Sequence, residues 1–101
     1  MSEEINKISF QIIANVGEAK GYFIESLSSS KSGDMEKARQ LIKKGEMLFN
    51  QGHIQHGKLL SRFASGEEIP VDVLLVHAEC QMMSAEDFKI IAEQFLNREE
   101  E

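Results

Sequence analysis

The scarcity of helix-breaking residues constrains this chain more than any other feature of its sequence. Proline occurs once among 101 residues, at Pro70. Turn-forming residues gather in only two short stretches, "SSSKSGD" at 28–34 and "ASGEEIPVD" at 64–72. In each stretch a glycine, Gly33 or Gly66, can adopt the left-handed backbone conformation that ends a helix. The sequence between these breaks is free to be helical.

Two breaks in a chain of this length predict three long helices. Asp34 suits the capping position of the second helix, and Pro70 and Asp72 suit the first turn of the third. The predicted helices cover residues 4–31, 34–64 and 71–97 of a single domain, 1–101. Short connections make neighbouring helices antiparallel, so the predicted fold class is all-α, an antiparallel three-helix bundle.

Apolar residues recur every three or four positions in each segment, which is the period of one helix face. In the first helix the row consists of Ile5, Ile8, Ile12, Val16, Ala19, Phe23 and Leu27. In the second it consists of Met35, Ala38, Ile42, Gly45, Phe49, Gly52, His56, Leu59 and Phe63. The third helix carries two adjacent rows, Leu74, His77, Gln81, Ala85, Phe88, Ile91 and Phe95, and beside them Val73, Val76, Cys80, Met83 and Ile90.

The third helix has more apolar surface than a three-helix monomer can cover. Each helix in such a bundle buries about one side, so the remaining apolar face needs another chain. Self-association is the simplest answer. It would place Val73, Val76, Cys80 and Met83 at an interface between subunits.

The second helix contains three glycines, Gly45, Gly52 and Gly57, although each costs about 1 kcal/mol relative to alanine in a helix interior. Close approach of a neighbouring helix is one explanation. A locally loose helix is the other, and the sequence leaves both open.

The composition excludes several functional classes. The formal net charge of −6 argues against nucleic-acid binding, which requires a basic surface to displace counterions from phosphates. The single cysteine, Cys80, precludes an internal disulfide framework. The start "MSEEINKISF" lacks the pattern of a secretory signal, and no run approaches the ~20 apolar residues that cross a bilayer. We expect a soluble, cytoplasmic protein.

The stretch "LLVHAECQMM", residues 74–83, places His77 in the middle of an apolar helical run. A lone histidine on such a face is most often structural, with one ring nitrogen bonded to a neighbour and the other to water. A metal site is a second reading. His53 and His56 lie one turn apart on helix two, and matching depths bring His56 within reach of His77. A zinc site completed by cysteine would be geometrically conceivable, although no recognised ligand spacing supports it.

The third reading of His77 is nucleophilic. An imidazole nitrogen attacks a phosphoryl group readily, and the lability of the resulting N–P bond suits a carrier that must pass the group on. The sequence contains no P-loop and no kinase-type glycine-rich motif. A carrier of this kind would therefore receive its phosphoryl group from another phosphoprotein.

The same stretch resembles the signature "LLVHAQDHLM" of the enzyme IIA proteins of the lactose/cellobiose class of the sugar phosphotransferase system. Three further stretches follow that family in order and spacing: "QIIANVGEAK", "SGDMEKARQLIKKGE" and "GEEIPVDVLLVHA". The resemblance covers nearly the whole chain. It implies a subunit of three long helices, assembled with two others into a nine-helix homotrimer.

The resemblance also implies a function, that of a phosphocarrier in sugar uptake. In the family, the histidine of this signature accepts a phosphoryl group at Nε2 from phospho-HPr and passes it to a cysteine of the IIB component. The membrane component IIC then delivers the group to a sugar of the lactose or cellobiose type. By position, the phosphorylated residue here is His77. Gln81, one turn later, is expected to donate a hydrogen bond to a phosphoryl oxygen or to be a polar boundary residue.

Three positions depart from the family pattern. The aspartate three residues after the histidine, which gathers around a metal ion on the threefold axis, is replaced by Cys80. Glu79 and Gln81 stand where the family has glutamine and often histidine. No metal and no cofactor are expected, unless three cysteines bind a soft metal such as zinc. These departures keep an alternative open, a non-catalytic helical interaction or regulatory module in which His77 only packs or senses pH.

Overall fold

All three predicted helices are present in the computed structural model, which describes the backbone of residues 2–100 and the side chains of residues 3–98. The helices are α1 (Ser2–Lys31), α2 (Met35–Ala64) and α3 (Val73–Glu100). No strand occurs within the described backbone. The molecule is a rod of 48 × 19 × 17 Å, as expected for helices of about 45 Å at 1.5 Å per residue. The all-α prediction is confirmed.

Capping side chains set the starts of α2 and α3. Asp34 Oδ1 accepts a hydrogen bond from the amide of Lys37 at 3.1 Å, so α2 begins at Met35 and not at 34. Asp72 Oδ1 accepts from the amide of Leu75 at 2.8 Å, so α3 begins at Val73 and not at 71. A residue whose side chain caps a helix stands outside its first turn.

The helix ends follow the two glycines and then depart from the prediction at the C-terminus. Gly33 and Gly66 have φ angles of 91° and 96°, the left-handed conformation that ends α1 and α2. The third helix, predicted to end at residue 97, continues to Glu100, and residue 101 lies outside the described residues.

The predicted rows of α1 and α2 form most of the core. Every member of the α1 row is buried except Leu27, which is half-buried. The α2 row is buried or half-buried along its length, with one exception. Phe63 is 68% exposed, because it lies in the last turn of α2, at the end of the bundle. Its assignment to the core was wrong.

The core face of α3 differs from both rows that the sequence suggested. The inward row is a third one, consisting of Leu75, Ala78, Met82, Ala85, Ala92 and Leu96. Only Ala85 belongs to a predicted row. Three of the six inward residues are alanines, whose small side chains allow α3 to lie close to its neighbours. The larger apolar residues of α3 are divided: Leu75, Met82 and Leu96 point inward and Phe88 packs partly buried against the core, whereas other large apolar residues are exposed, namely Val73, Val76, Met83, Ile90 and Ile91.

The central helix of the bundle is α1, which packs against both others more extensively than those two pack against each other. Its C-terminal part is joined to α2 by the buried Ser26 hydroxyl, which donates to the carbonyl of Ala38 at 3.0 Å. Close approach accounts for two of the three glycines. A Cβ at Gly45 would overlap the ring of Phe23, and one at Gly52 would lie 2.7 Å from Val16 Cγ1.

Candidate functional site

His77 lies in the second turn of α3, five residues after the cap Asp72, and its side chain is exposed. Within residues 3–98 it makes no hydrogen bond and no ion pair. Val73, one turn earlier on the same face, is 86% exposed and leaves the approach to the ring open. A structural histidine of the kind considered from the sequence would have one ring nitrogen bonded to a neighbouring residue. The structure shows no such bond for His77 within residues 3–98, and its imidazole is accessible in the single chain.

Two polar side chains share the neighbourhood of His77. Gln81, one turn later, is half-buried, so its amide lies at the edge of the exposed face. Cys80 is exposed in the single chain. Magnesium prefers oxygen ligands, whereas a thiol is a soft ligand. The residue at the family's metal position therefore does not fit a magnesium ion.

The other two histidines do not join His77. The ring of His56 meets Glu79 instead, with 2.7 Å between His56 Nε2 and Glu79 Oε1. Residues two apart project to nearly opposite sides of a helix. The His56–Glu79 pair therefore lies on the side of α3 that faces α2, and His77 lies on the other side. The ring of His53 stacks on Phe49 with centroids 6.3 Å apart.

No three histidine, cysteine or acidic side chains of the described chain converge as a metal site would require. The geometry thus gives the zinc reading no support within one chain. The sequence had marked Glu79 only as a departure from the family pattern. Its contact with His56 could have been found from the matched depths of the two residues on antiparallel helices.

The segment that leads into α3 is fastened by Arg62, near the end of α2. Its guanidinium lies 2.9 Å from Glu4 Oε1 of α1 and 2.6 Å from Glu67 Oε2 of the connecting segment. The hydrogen bond to Glu67 raises the pKa of Arg62 above its ordinary value. This cation is therefore engaged by two carboxylates, and its role is to hold the connection in place.

The outward face of α3 is apolar and uncovered. Val76 and Ile90 are about half exposed, and Met83 is 61% exposed. With Val73 and Cys80 these residues lie on the side of α3 that faces away from α1 and α2, where the exposed Asp87 separates Met83 from Ile90. None of the helices within residues 2–100 has a stretch long and apolar enough to span a membrane.

Comparison with known proteins places these features in one family. Residues 7–99 match the family model described as "PTS system, Lactose/Cellobiose specific IIA subunit". The chain is 33% identical over 82 residues to the lactose-specific EIIA component of Lacticaseibacillus casei, an overlap of 81% of this chain and 73% of that protein. It is 31% identical over 96 residues to the lichenan-specific enzyme IIA component of Bacillus subtilis (strain 168), covering 95% and 87% of the two chains.

Solved structures agree with this assignment. The cellobiose-specific enzyme IIA from Bacillus anthracis superposes with a TM-score of 0.89 at 32% identity, over 93% of this chain and 86% of that one. PtcA from S. mutans superposes with a TM-score of 0.97 at 25% identity, over 100% and 99% of the two chains. The chain therefore belongs to the lactose/cellobiose-specific IIA subunits of the sugar phosphotransferase system.

Proposed function

We propose that this chain carries a phosphoryl group on His77 between phospho-HPr and a IIB component. Membership of the IIA family supports a phosphocarrier role in sugar uptake. The observation that carries the residue assignment is the exposed, unbonded imidazole of His77 in the second turn of α3. A nucleophile that exchanges its group with two different proteins must be reachable from solvent.

The reaction needs little covalent chemistry from the protein. The lone pair of the neutral His77 Nε2 attacks the phosphorus atom, and the N–P bond of the donor phosphohistidine breaks, returning its electron pair to the donor nitrogen. The second transfer follows the same course, with a cysteine thiolate of IIB as the attacking group. Positioning and charge stabilisation dominate catalysis of phosphoryl transfer. In this proposal the amide N–H of Gln81, a half-buried residue one turn after His77, donates to a phosphoryl oxygen.

We propose that the outward apolar row of α3 is covered by two further copies of the chain, giving a homotrimer of nine helices. The exposure of Val73, Val76 and Met83 in the single chain supports this arrangement. Cys80 belongs to the same row and would face its symmetry mates without a magnesium ion. An apolar axis avoids the mutual repulsion of three buried carboxylates, so no cation is required to hold it together.

The sugar is read by the membrane component IIC and not by this subunit. The relatives are named as lactose-specific, lichenan-specific and cellobiose-specific components. We therefore propose a β-linked disaccharide as the transported sugar, phosphorylated through HPr, this IIA chain, IIB and IIC in turn.

The deciding experiment is transfer from phosphorylated HPr to the purified chain. We expect an acid-labile phosphoryl label on the unaltered protein and none on His77→Ala. His53→Ala is the matched control, because His53 is also an exposed helical histidine but stands on α2, and it should be labelled normally. No label on the unaltered chain would favour the alternative of a non-catalytic interaction module. Full labelling of His77→Ala would show that a residue other than His77 accepts the phosphoryl group.

A further inference from the structure

The contact between His56 and Glu79 joins α3 to α2 at the level of the candidate phosphoryl acceptor. The separation of 2.7 Å between His56 Nε2 and Glu79 Oε1 is that of a charge-assisted hydrogen bond. The His56 side chain is only 16% exposed, so the contact is shielded from water on the α2 side. Because an ionised carboxylate can only accept, Nε2 of His56 is the donor.

The pair holds the side of α3 that lies opposite His77. Residues two apart on an α-helix are separated by about 200° around its axis. The carboxylate of Glu79 therefore points towards α2, whereas the ring of His77 points towards solvent. A phosphoryl group on His77 would lie across the width of the helix from Glu79. At that separation the direct charge interaction is largely screened, since the Debye length is about 8 Å at physiological salt.

Apolar packing holds this part of α3 against its neighbours but lacks the directionality of a hydrogen bond. The inward residues nearest to His77 are Leu75, Ala78 and Met82, and apolar burial has no directional preference. It resists separation of the helices but allows α3 to rotate or slide by a fraction of an ångström. A hydrogen bond is directional and weakens steeply with misalignment. The His56–Glu79 bond therefore fixes the rotation and the height of α3 where packing does not.

We infer that His56 and Glu79 are positioning residues that together set the orientation in which α3 presents His77 to its phosphoryl donor. This inference rests on the proposed function of His77. A displacement of about 1 Å in a reacting group can cost up to 10²-fold in rate. The pair acts through the helix, so it affects the transfer step and leaves docking of the donor unchanged.

The test is the kinetics of phosphoryl transfer from phospho-HPr to the full chain. We expect His56→Ala and Glu79→Ala each to lower kcat about tenfold, a displacement of less than 1 Å on the same scale. KM for phospho-HPr should be unchanged. The double variant should be no slower than either single variant, because both residues serve one bond. Glu79→Gln keeps an acceptor oxygen for His56 Nε2 and should restore a rate close to that of the unaltered chain.

Glu86→Ala is the matched control. Glu86 stands two turns after Glu79 on the same side of α3, is exposed, and makes no ion pair within residues 3–98, so its removal should leave kcat unchanged. Alanine variants with the rate of the unaltered chain would overturn the inference. So would a rise in KM at constant kcat, which would indicate a docking role, or a Glu79→Gln variant as slow as Glu79→Ala.

A measurement on the unaltered chain covers the case in which an alanine variant does not fold. Nitrogen-15 spectra of the histidine rings should show a proton on His56 Nε2, and a neutral ring protonated only at Nδ1 would overturn the inference. If the unaltered chain takes no label from phospho-HPr, the proposed function fails and this inference with it. If the chain is labelled at His77 and the variants transfer normally, the inference alone fails.

Discussion

Gly45 has no side chain, which lets α2 lie against the ring of Phe23. Gly52 in the same helix makes room for Val16. At Gly57, a turn and a half further along, a Cβ would meet nothing within 4 Å. The sequence showed three glycines in one helix but could not distinguish their environments. Each glycine has the same local cost, and only the path of the neighbouring helix determines which of them is needed.

Alanine substitutions should separate these glycines. Gly45→Ala should destabilise the chain by about 1–3 kcal/mol, because the new methyl group overlaps Phe23 in a packed core. Gly57→Ala should stabilise it by up to about 1 kcal/mol, since alanine favours the helix and meets open space. Urea unfolding followed by circular dichroism measures both. Equal effects of the two substitutions would contradict the packing described for Gly45.

At the scale of the helices, large apolar residues made the buried face of α1 predictable, whereas alanines made the buried face of α3 difficult to identify. The α1 row was correct because isoleucines, a valine and a phenylalanine repeat on one face at helical spacing, although the apolar Phe10 and Ile24 lie on the exposed side. In α3 half of the inward row consists of alanines, Ala78, Ala85 and Ala92, while several larger apolar residues are exposed on the outward faces. A pattern read from side-chain size therefore selected the wrong side. The start of α3 was predicted two residues too early for a different reason: Asp72 caps the helix and does not belong to its first turn.

The two capping aspartates allow a matched test at this scale. Asp72→Ala and Asp34→Ala each remove a side-chain acceptor from a helix start and should each cost about 1 kcal/mol of stability. Only Asp72 caps the helix that carries His77, so only Asp72→Ala should slow phosphoryl transfer from phospho-HPr, by severalfold. Equal rates for the two variants would show that fraying of the first turn of α3 does not reach His77.

At the scale of the whole molecule, the rod has one uncovered apolar side. The sequence predicted this surplus on α3 and predicted Val73, Val76, Cys80 and Met83 as its members, and all four are exposed in the single chain. It also predicted a reactive His77 by resemblance, and the structure shows that residue to be accessible. How the three chains of the proposed trimer would fit together could not be read from the sequence, because symmetry contacts depend on surface shape. The sequence placed His56 at the depth of this part of α3 but marked Glu79 only as a departure from the family pattern, so their bond was not predicted.

Assembly without a metal can be tested through Cys80. We expect a mass three times the chain mass of 11.4 kDa, unchanged by a chelator, and a thiol that reacts slowly while the trimer persists, because apolar burial hides the sulfur. Cys80→Ala should leave labelling of His77 intact and cost about 1–2 kcal/mol per subunit. Sedimentation equilibrium and thiol titration in native buffer are the measurements. Dissociation on adding the chelator would indicate a metal ligand, and immediate reaction of every thiol would indicate an exposed cysteine.

The placement of His77 on a regular helix, and not on a loop, has a consequence for the proteins around it. A loop can change its conformation to fit each binding partner, but a residue within a long hydrogen-bonded helix presents the same surface to every partner. If one protein donates the phosphoryl group to this chain and a different protein accepts it, any conformational adaptation at the contact must then occur in those two partner proteins. The donor and the acceptor would both need a binding surface that is complementary to the same part of α3. Because both would contact the same imidazole, they could not be bound to this chain at the same time.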